Sequence, residues 1–289
     1  VFYSTESDTT RHSVRSVYRY SPIHDESFHW LEAGPEDGRT VVLIHGFMAH
    51  GMAYRRVLDA LADTFRVVVP DLPAHGRDRT FHSPHLGPEI YDLIEWFDCL
   101  LEAVAPGEES VDVVGHSLGA LLSFVAAREQ PRFRAIDRVV LVSPGIRIGV
   151  PTWTSQLIEM LPRPLASLGT NRLGMRLYEP IQWRQSRMDG DEMTDYLRPL
   201  KDPDRLDFIL SLGADMVSEP DRLPGAHRVS VPTLLITGDK DHLVSLEAVE
   251  LLDSVIPDSE MSVFEGVGHC PMEDAPADFT SSVRGFLAH

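Results

Sequence analysis

The sequence predicts an α/β fold built on a mainly parallel sheet, with helices on both faces and a helical insertion late in the chain. Three observations predict it. Short apolar runs such as Val41-Val42-Leu43-Ile44 and Val67-Val68-Val69 read as strands buried on both faces. Segments of helical spacing, Ile90 to Val104 most clearly, separate such runs, and strand–helix–strand alternation implies parallel pairing with right-handed crossovers. The alternation lapses from about Gly145 to His227, where no buried β run occurs, and then resumes.

In chain order, residues 1–13 are polar and unpatterned, as in a loose arm. Val14 to Tyr20 and Phe28 to Glu32 are β-rich, Val41 to Ile44 is a strand, Tyr54 to Ala62 has helical spacing, and Val67 to Val69 is a strand. The amphipathic helix Ile90 to Val104 leads to strand Val111 to Val114, helix Ser117 to Arg128 and strand Val139 to Val142. The interval 145–227 is the insertion. Its Pro-punctuated segments Trp153 to Leu161, Asn171 to Tyr178, Asp191 to Leu200 and Pro203 to Met216 read as short helices. Strand Thr233 to Ile236, helix Leu246 to Val255, strand Met261 to Phe264 and helix Pro276 to Leu287 complete the chain. Residues 14–144 and 228–289 thus form one core domain, and 289 residues suffice for such a core plus an insertion.

Charge and composition exclude several function classes. A formal net charge of −18, with no basic block to interrupt it, repels nucleic acid and anionic lipid. No stretch approaches the roughly 18 to 20 consecutive apolar residues of a membrane span, and the opening Ser4-Thr5-Glu6-Ser7-Asp8 is unlike a signal peptide. Cys99 and Cys270 are too few and too distant for a disulfide scaffold, which suits a reducing cytoplasm. Cys270 reads as a small buried filler. His82 and His85 have no Cys or carboxylate at ligand spacing, so neither a metal nor another cofactor is expected.

The chemistry is carried by Gly115-His116-Ser117-Leu118-Gly119, a G-x-S-x-G pentapeptide between a buried strand and a helix of small and apolar residues. Flanking glycines permit a strained turn that lifts a serine hydroxyl above the sheet. The helix that follows turns its N-terminus, and the backbone N–H of Leu118, toward developing negative charge. A serine hydroxyl is a weak nucleophile until a neutral imidazole takes its proton, and the imidazole needs a carboxylate to fix its tautomer. His269 and Asp241 both follow predicted strand ends, on the same edge of a parallel sheet as Ser117.

With these motifs the chain resembles the α/β-hydrolase family from about Thr40 to the C-terminus, apart from the insertion. Leu43-Ile44-His45-Gly46-Phe47, and Thr237-Gly238-Asp239-Lys240-Asp241 followed by Gly268-His269, also match, in the family's order of nucleophile, acid and histidine. The resemblance implies an eight-stranded sheet with the insertion as a cap, Ser117 as nucleophile, His269 as base, and Phe47 as second backbone donor to the oxyanion. It also favours Asp241 over Asp239, because the family's acid follows the strand-end glycine by three residues, with an apolar residue such as Leu243 soon after. Asp239 is then a turn residue, His45 and Asp71 are structural members of their loops, and His116 packs behind the nucleophile. A serine rather than an aspartate at position 117 points to acyl chemistry.

The insertion is rich in Met and aromatics, and those that face Ser117 would roof an apolar pocket. Met48, Trp153, Met160, Trp183 and Leu243 are the candidate substrate contacts. Arg163, Arg172, Arg176, Arg184 and Arg187 share a stretch with only Glu179 as counter-charge, while Asp189 to Asp221 is acidic. Either the two halves pair with each other, or the arginines make an entrance for a carboxylate or for the phosphates of a coenzyme A or carrier-protein thioester. The expected activity is hydrolysis of a carboxylic ester or thioester of a medium-sized hydrophobic substrate, with an anionic or carrier-bound form open to it, through an acyl-enzyme. The alternatives are C–C bond cleavage or condensation with the same triad, and a non-catalytic binding protein of the same fold.

Overall fold

The computed structural model describes residues 12–21, 26–78, 81, 86–107, 110–130, 135–146, 171–173, 176, 179, 182–183, 185–218 and 222–288. The expected arm falls almost wholly outside these residues, as do His82, His85 and the expected helix from Trp153 to Leu161.

Eight strands form one sheet: β1 (Arg15–Ser21), β2 (Glu26–Ala33), β3 (Thr40–Ile44), β4 (Arg66–Pro70), β5 (Val111–His116), β6 (Ile136–Val142), β7 (Thr233–Gly238) and β8 (Ser259–Phe264). Their spatial order is β1-β2-β4-β3-β5-β6-β7-β8. β2 runs antiparallel to both its neighbours, and every other pair is parallel. The central strands β3, β5 and β7 are buried along their whole length, which is why they read as unbroken apolar runs. The edge strands β1 and β8 alternate between exposed and half-buried positions, so their signal in the sequence is weaker.

The described helices are α1 (Arg55–Ala62), α2 (Ile90–Val104), α3 (Leu118–Arg128), α4 (Gly190–Leu197), α5 (Pro203–Ser218), α6 (Leu246–Val255), α7 (Pro271–Asp274) and α8 (Pro276–Leu287). α1 packs on α8, and α2 on α3. α3 buries ten of its eleven residues, from Leu118 to Ala127, because it is apolar on all sides. Tyr54 belongs to a 3₁₀ turn, Gly51–Tyr54, ahead of α1 rather than to the helix itself. Its buried hydroxyl donates to the Ile44 carbonyl at 2.9 Å and ties that turn to the end of β3.

Register fixes where the loops meet. Gly115 of β5 lies opposite Ile44 of β3 and Leu141 of β6, and Gly238 of β7 lies opposite Phe264 of β8. The connections leaving these parallel strands therefore emerge on one edge of the sheet.

The described residues from 185 to 218 are anchored at that edge. α4 opens with a capping box in which Asp189 and Glu192 satisfy each other's backbone N–H groups. Arg55 bonds Glu192 at 2.5 Å, and Asp215 of α5 accepts the Ile90 amide at the start of α2 at 2.9 Å. Arg205 of α5 donates to the carbonyls of Ala74, Gly76 and Asp78, in the loop after β4.

Candidate active site

Ser117 stands between β5 and α3 with φ 52° and ψ −110°, backbone angles that cost a non-glycine residue about 1–3 kcal/mol. Its surroundings enforce them. The Ser117 amide donates to the Val142 carbonyl at 2.9 Å, and its own carbonyl accepts from Leu121 at 3.0 Å and Gly145 at 3.1 Å. The two glycines of the pentapeptide are needed for close approach. A Cβ on Gly115 would collide with the Gly119 carbonyl, and one on Gly119 with the Ile44 carbonyl. Leu118 is the first residue of α3, so its N–H has no intrahelical partner.

His269 Nδ1 donates to Asp241 Oδ2 at 2.8 Å, and both side chains are buried. That bond leaves Nε2 of a neutral ring as acceptor. The other carboxylate oxygen of Asp241 accepts the N–H groups of Leu243 at 2.8 Å and Val244 at 3.0 Å. Burial alone would raise the Asp241 pKa, but the His269 bond and these amides outweigh it and hold the carboxyl below its ordinary value. Asp239 points elsewhere: it accepts from the Gly266 amide and the Lys240 ammonium, each at 2.6 Å, and braces the turn.

His116 lies behind this pair. Its Nε2 donates to the His269 carbonyl at 2.8 Å, and the two rings are 4.8 Å apart. Burial, followed by the neighbouring His269, pushes the His116 pKa down to about 3, so the ring is neutral. Cys270 is buried, with a pKa raised well above that of a free thiol mainly by desolvation, and it donates to Gln182 Oε1 at 3.4 Å.

The loop after β3 is fixed by two neutral histidines and a carboxylate. His45 Nδ1 donates to the Gly46 carbonyl at 2.8 Å, and its Nε2 accepts the Leu72 amide at 2.9 Å. His75 does the same between the Pro73 carbonyl at 2.8 Å and the Met48 amide at 3.1 Å. Asp71 accepts the amides of Gly51 and Arg77, each at 2.8 Å. All three side chains hold backbone, which sets Phe47 and the strained Met48 (φ 56°) against the Ser117 turn.

Ser117 and His269 line one pocket, whose cavity volume is about 20 Å³. Of the candidate contacts, Met48 and Trp183 are in its wall, as is Phe47. Leu243 is not among the described wall residues; its backbone N–H bonds Asp241. Trp153 and Met160 lie outside the described residues.

Three wall residues carry polar groups that sequence reasoning missed: Gln182, Tyr196 and Glu273. Glu273 sits on α7, is 2% exposed and receives Arg55 Nη1 on Oε2 at 3.0 Å. Desolvation raises its pKa against the opposing pull of Arg55. Its neighbour Asp274 accepts the amides of Gln185 at 3.0 Å and Ser186 at 2.9 Å on one oxygen, and that of Gly268 at 3.0 Å on the other. The insertion is thereby joined to the loop that carries His269.

Within the arginine-rich stretch, Arg172 donates to Thr194 and the Gly190 carbonyl, and Arg176 to Glu179 and the Met188 carbonyl. Arg163 and Arg184 lie outside the described residues. Among the described residues no cluster of three or more His, Cys, Asp or Glu side chains could hold a metal ion, and no helix is long and apolar enough to cross a membrane.

A strained serine at a strand-to-helix turn, in one pocket with a histidine paired to a buried aspartate, is the arrangement of a hydrolase. The model of the alpha/beta hydrolase family matches residues 41–282, and the chain belongs to that family and is a hydrolase enzyme. It is 28% identical over 279 residues to a pimeloyl-[acyl-carrier protein] methyl ester esterase of Vibrio atlanticus, spanning 90% of this chain and 98% of that one. It is 27% identical over 270 residues to the magnesium-chelatase 30 kDa subunit of Rhodobacter capsulatus, with 89% of each chain covered. The crystal structure of a carboxylesterase from Bacillus subtilis superposes with a TM-score of 0.73 at 16% identity, covering 96% of this chain and 93% of that one.

Proposed function

We propose that the enzyme cleaves a carboxylic ester or thioester of a medium-sized hydrophobic substrate through an acyl-enzyme on Ser117. The observation that carries this reading is the pocket shared by Ser117 and a His269 whose far nitrogen is bonded to buried Asp241. Ser117 Oγ attacks the carbonyl carbon while its proton passes to His269 Nε2. The tetrahedral oxyanion is held by the backbone N–H groups of Phe47 and Leu118, each such donor being worth roughly 10²- to 10³-fold in rate. His269 then protonates the departing alcohol or thiol as the acyl-enzyme forms. Water repeats the sequence with His269 as base, releases the acid and restores Ser117. Asp241 stays ionised throughout and stabilises the imidazolium that appears twice in each cycle.

The apolar wall of Phe47, Met48, Trp183 and Met272 supports a hydrophobic substrate, and the insertion serves as a cap above it. The esterase relative, named for a carrier-bound methyl ester, supports a substrate extending out of the pocket. The test is turnover of p-nitrophenyl esters from acetate to octanoate. Each buried CH₂ contributes about 0.8 kcal/mol, so kcat/KM should rise about fourfold per carbon until the pocket is full. Ser117→Ala should abolish turnover while leaving the fold intact. An active Ser117→Ala enzyme, or equal rates across the series, would overturn the reading.

A further inference from the structure

The pocket wall contains polar groups that this chemistry does not use. Glu273, Tyr196 and Trp183 all line it and are 2%, 7% and 5% exposed. Glu273 Oε2 is taken by Arg55, but Oε1 has only the Tyr196 hydroxyl within hydrogen-bond geometry, at the outer limit of 3.5 Å. The indole N–H of Trp183 is buried and has no hydrogen-bond partner among the described residues. It lies near enough to the Glu273 carboxyl to oppose the upward shift of that group's pKa. The Trp183 and Tyr196 rings meet edge-on, with centroids 6.1 Å apart, so the indole and the carboxylate flank the same tyrosine.

A buried donor and a buried acceptor with unused capacity on the wall of a ligand pocket are costly unless a bound group completes them. We propose that Glu273, Trp183 and Tyr196 form a hydroxyl-binding subsite, resting on the reading of this pocket as the ester site. The ligand's hydroxyl oxygen accepts the Trp183 N–H, and its hydrogen is donated to Glu273 Oε1. A hydroxyl does both. An ammonium has nothing to offer the indole, and a carboxylate brings no hydrogen to Glu273, so a carboxylate tail is disfavoured at this wall. The class of substrate is therefore a neutral hydroxyacyl ester or thioester. Glu273 and Trp183 are specificity-determining residues that take no part in bond making.

The test is calorimetric binding to the Ser117→Ala protein, using methyl hexanoate and its isomeric methyl hydroxyhexanoates. At least one isomer should bind about tenfold more tightly than the parent, because a site built around a hydroxyl rejects the analogue lacking it. Trp183→Phe, which keeps a ring in place, should bring that ratio close to unity, and Glu273→Gln should reduce it. Each ratio is taken within one protein, so a general loss of binding cancels, and Trp183→Phe decides if Glu273→Gln fails to fold. No isomer binding more tightly than the parent, or a preference that survives Trp183→Phe, overturns the subsite. Turnover of methyl hexanoate by the unsubstituted enzyme tests the esterase reading separately, since hydroxyl preference in binding does not depend on it.

Discussion

His269 Nδ1 lies 2.8 Å from Asp241 Oδ2, and the second oxygen of Asp241 is fixed by the amides of Leu243 and Val244. The carboxylate thus has one oxygen for the backbone and one for the imidazole. Both side chains are buried, so water does not compete for that bond.

Asp241→Asn should therefore leave the fold in place and reduce kcat by roughly 10³- to 10⁴-fold, since an amide cannot hold the histidine in the required tautomer. Asp239→Asn, at a carboxylate that braces the turn through Lys240 and the Gly266 amide, should change kcat less than about tenfold. Steady-state kinetics with p-nitrophenyl butyrate checks the pair, and the reverse order of losses would exchange their roles.

The strain at Ser117 separates stability from activity. Ser117→Gly should raise stability by about 1 kcal/mol, because glycine accepts φ 52° without the steric cost. Ser117→Ala should give no such gain. Both variants should lack turnover on the proposed mechanism. Urea unfolding measures the difference, and equal stability of the two would show that the turn is not strained in solution.

Asp112, at the start of β5, gives a stability profile of opposite sign to that of a paired surface carboxylate. Burial raises its pKa to about 6 from an ordinary 3.8, although Arg39 bonds it at 2.7 Å. Below pH 3.8 the carboxyl is protonated in both states and burial costs nothing extra. As pH rises toward about 6 the unfolded chain ionises first, so stability is lost across that window, on the order of 2 to 3 kcal/mol. Asp112→Asn should flatten this part of the curve, measured by urea unfolding against pH. An unchanged slope would show that Arg39 fully compensates the burial.

Asp274 joins the insertion to the His269 loop through three backbone amides. Asp274→Ala leaves those donors unpaired and should cost roughly 2 kcal/mol or more. It should also lower kcat by about tenfold or more, because Gly268 directly precedes His269. Unfolding and kinetics together check this, and a loss of stability with kcat unchanged would limit Asp274 to holding the insertion.

The parallel core was legible because Val41 to Ile44, Val67 to Val69 and Val111 to Val114 are buried on both faces and so interrupt the chain with unbroken apolar runs. The Ser117 turn was legible because its two glycines are sterically required, and the family resemblance favoured Asp241 over Asp239 through its spacing from Gly238. Glu273 and Asp274 were not legible. They belong to a helix of four residues, too short to show a period. Their burial comes from Arg55 and from the amides of residues 185, 186 and 268, partners that only the tertiary fold supplies. The bond from the Leu243 backbone N–H to Asp241 is likewise one that no side-chain pattern reveals.

The central claim is that Ser117 forms a covalent acyl-enzyme, and intact-protein mass spectrometry after reaction with a fluorophosphonate tests it most directly. A single adduct per chain is expected, mapped to the peptide containing Ser117, absent from Ser117→Ala and formed far more slowly by Asp241→Asn. Ester hydrolysis that continues without labelling of Ser117, or a label on another residue, would contradict it.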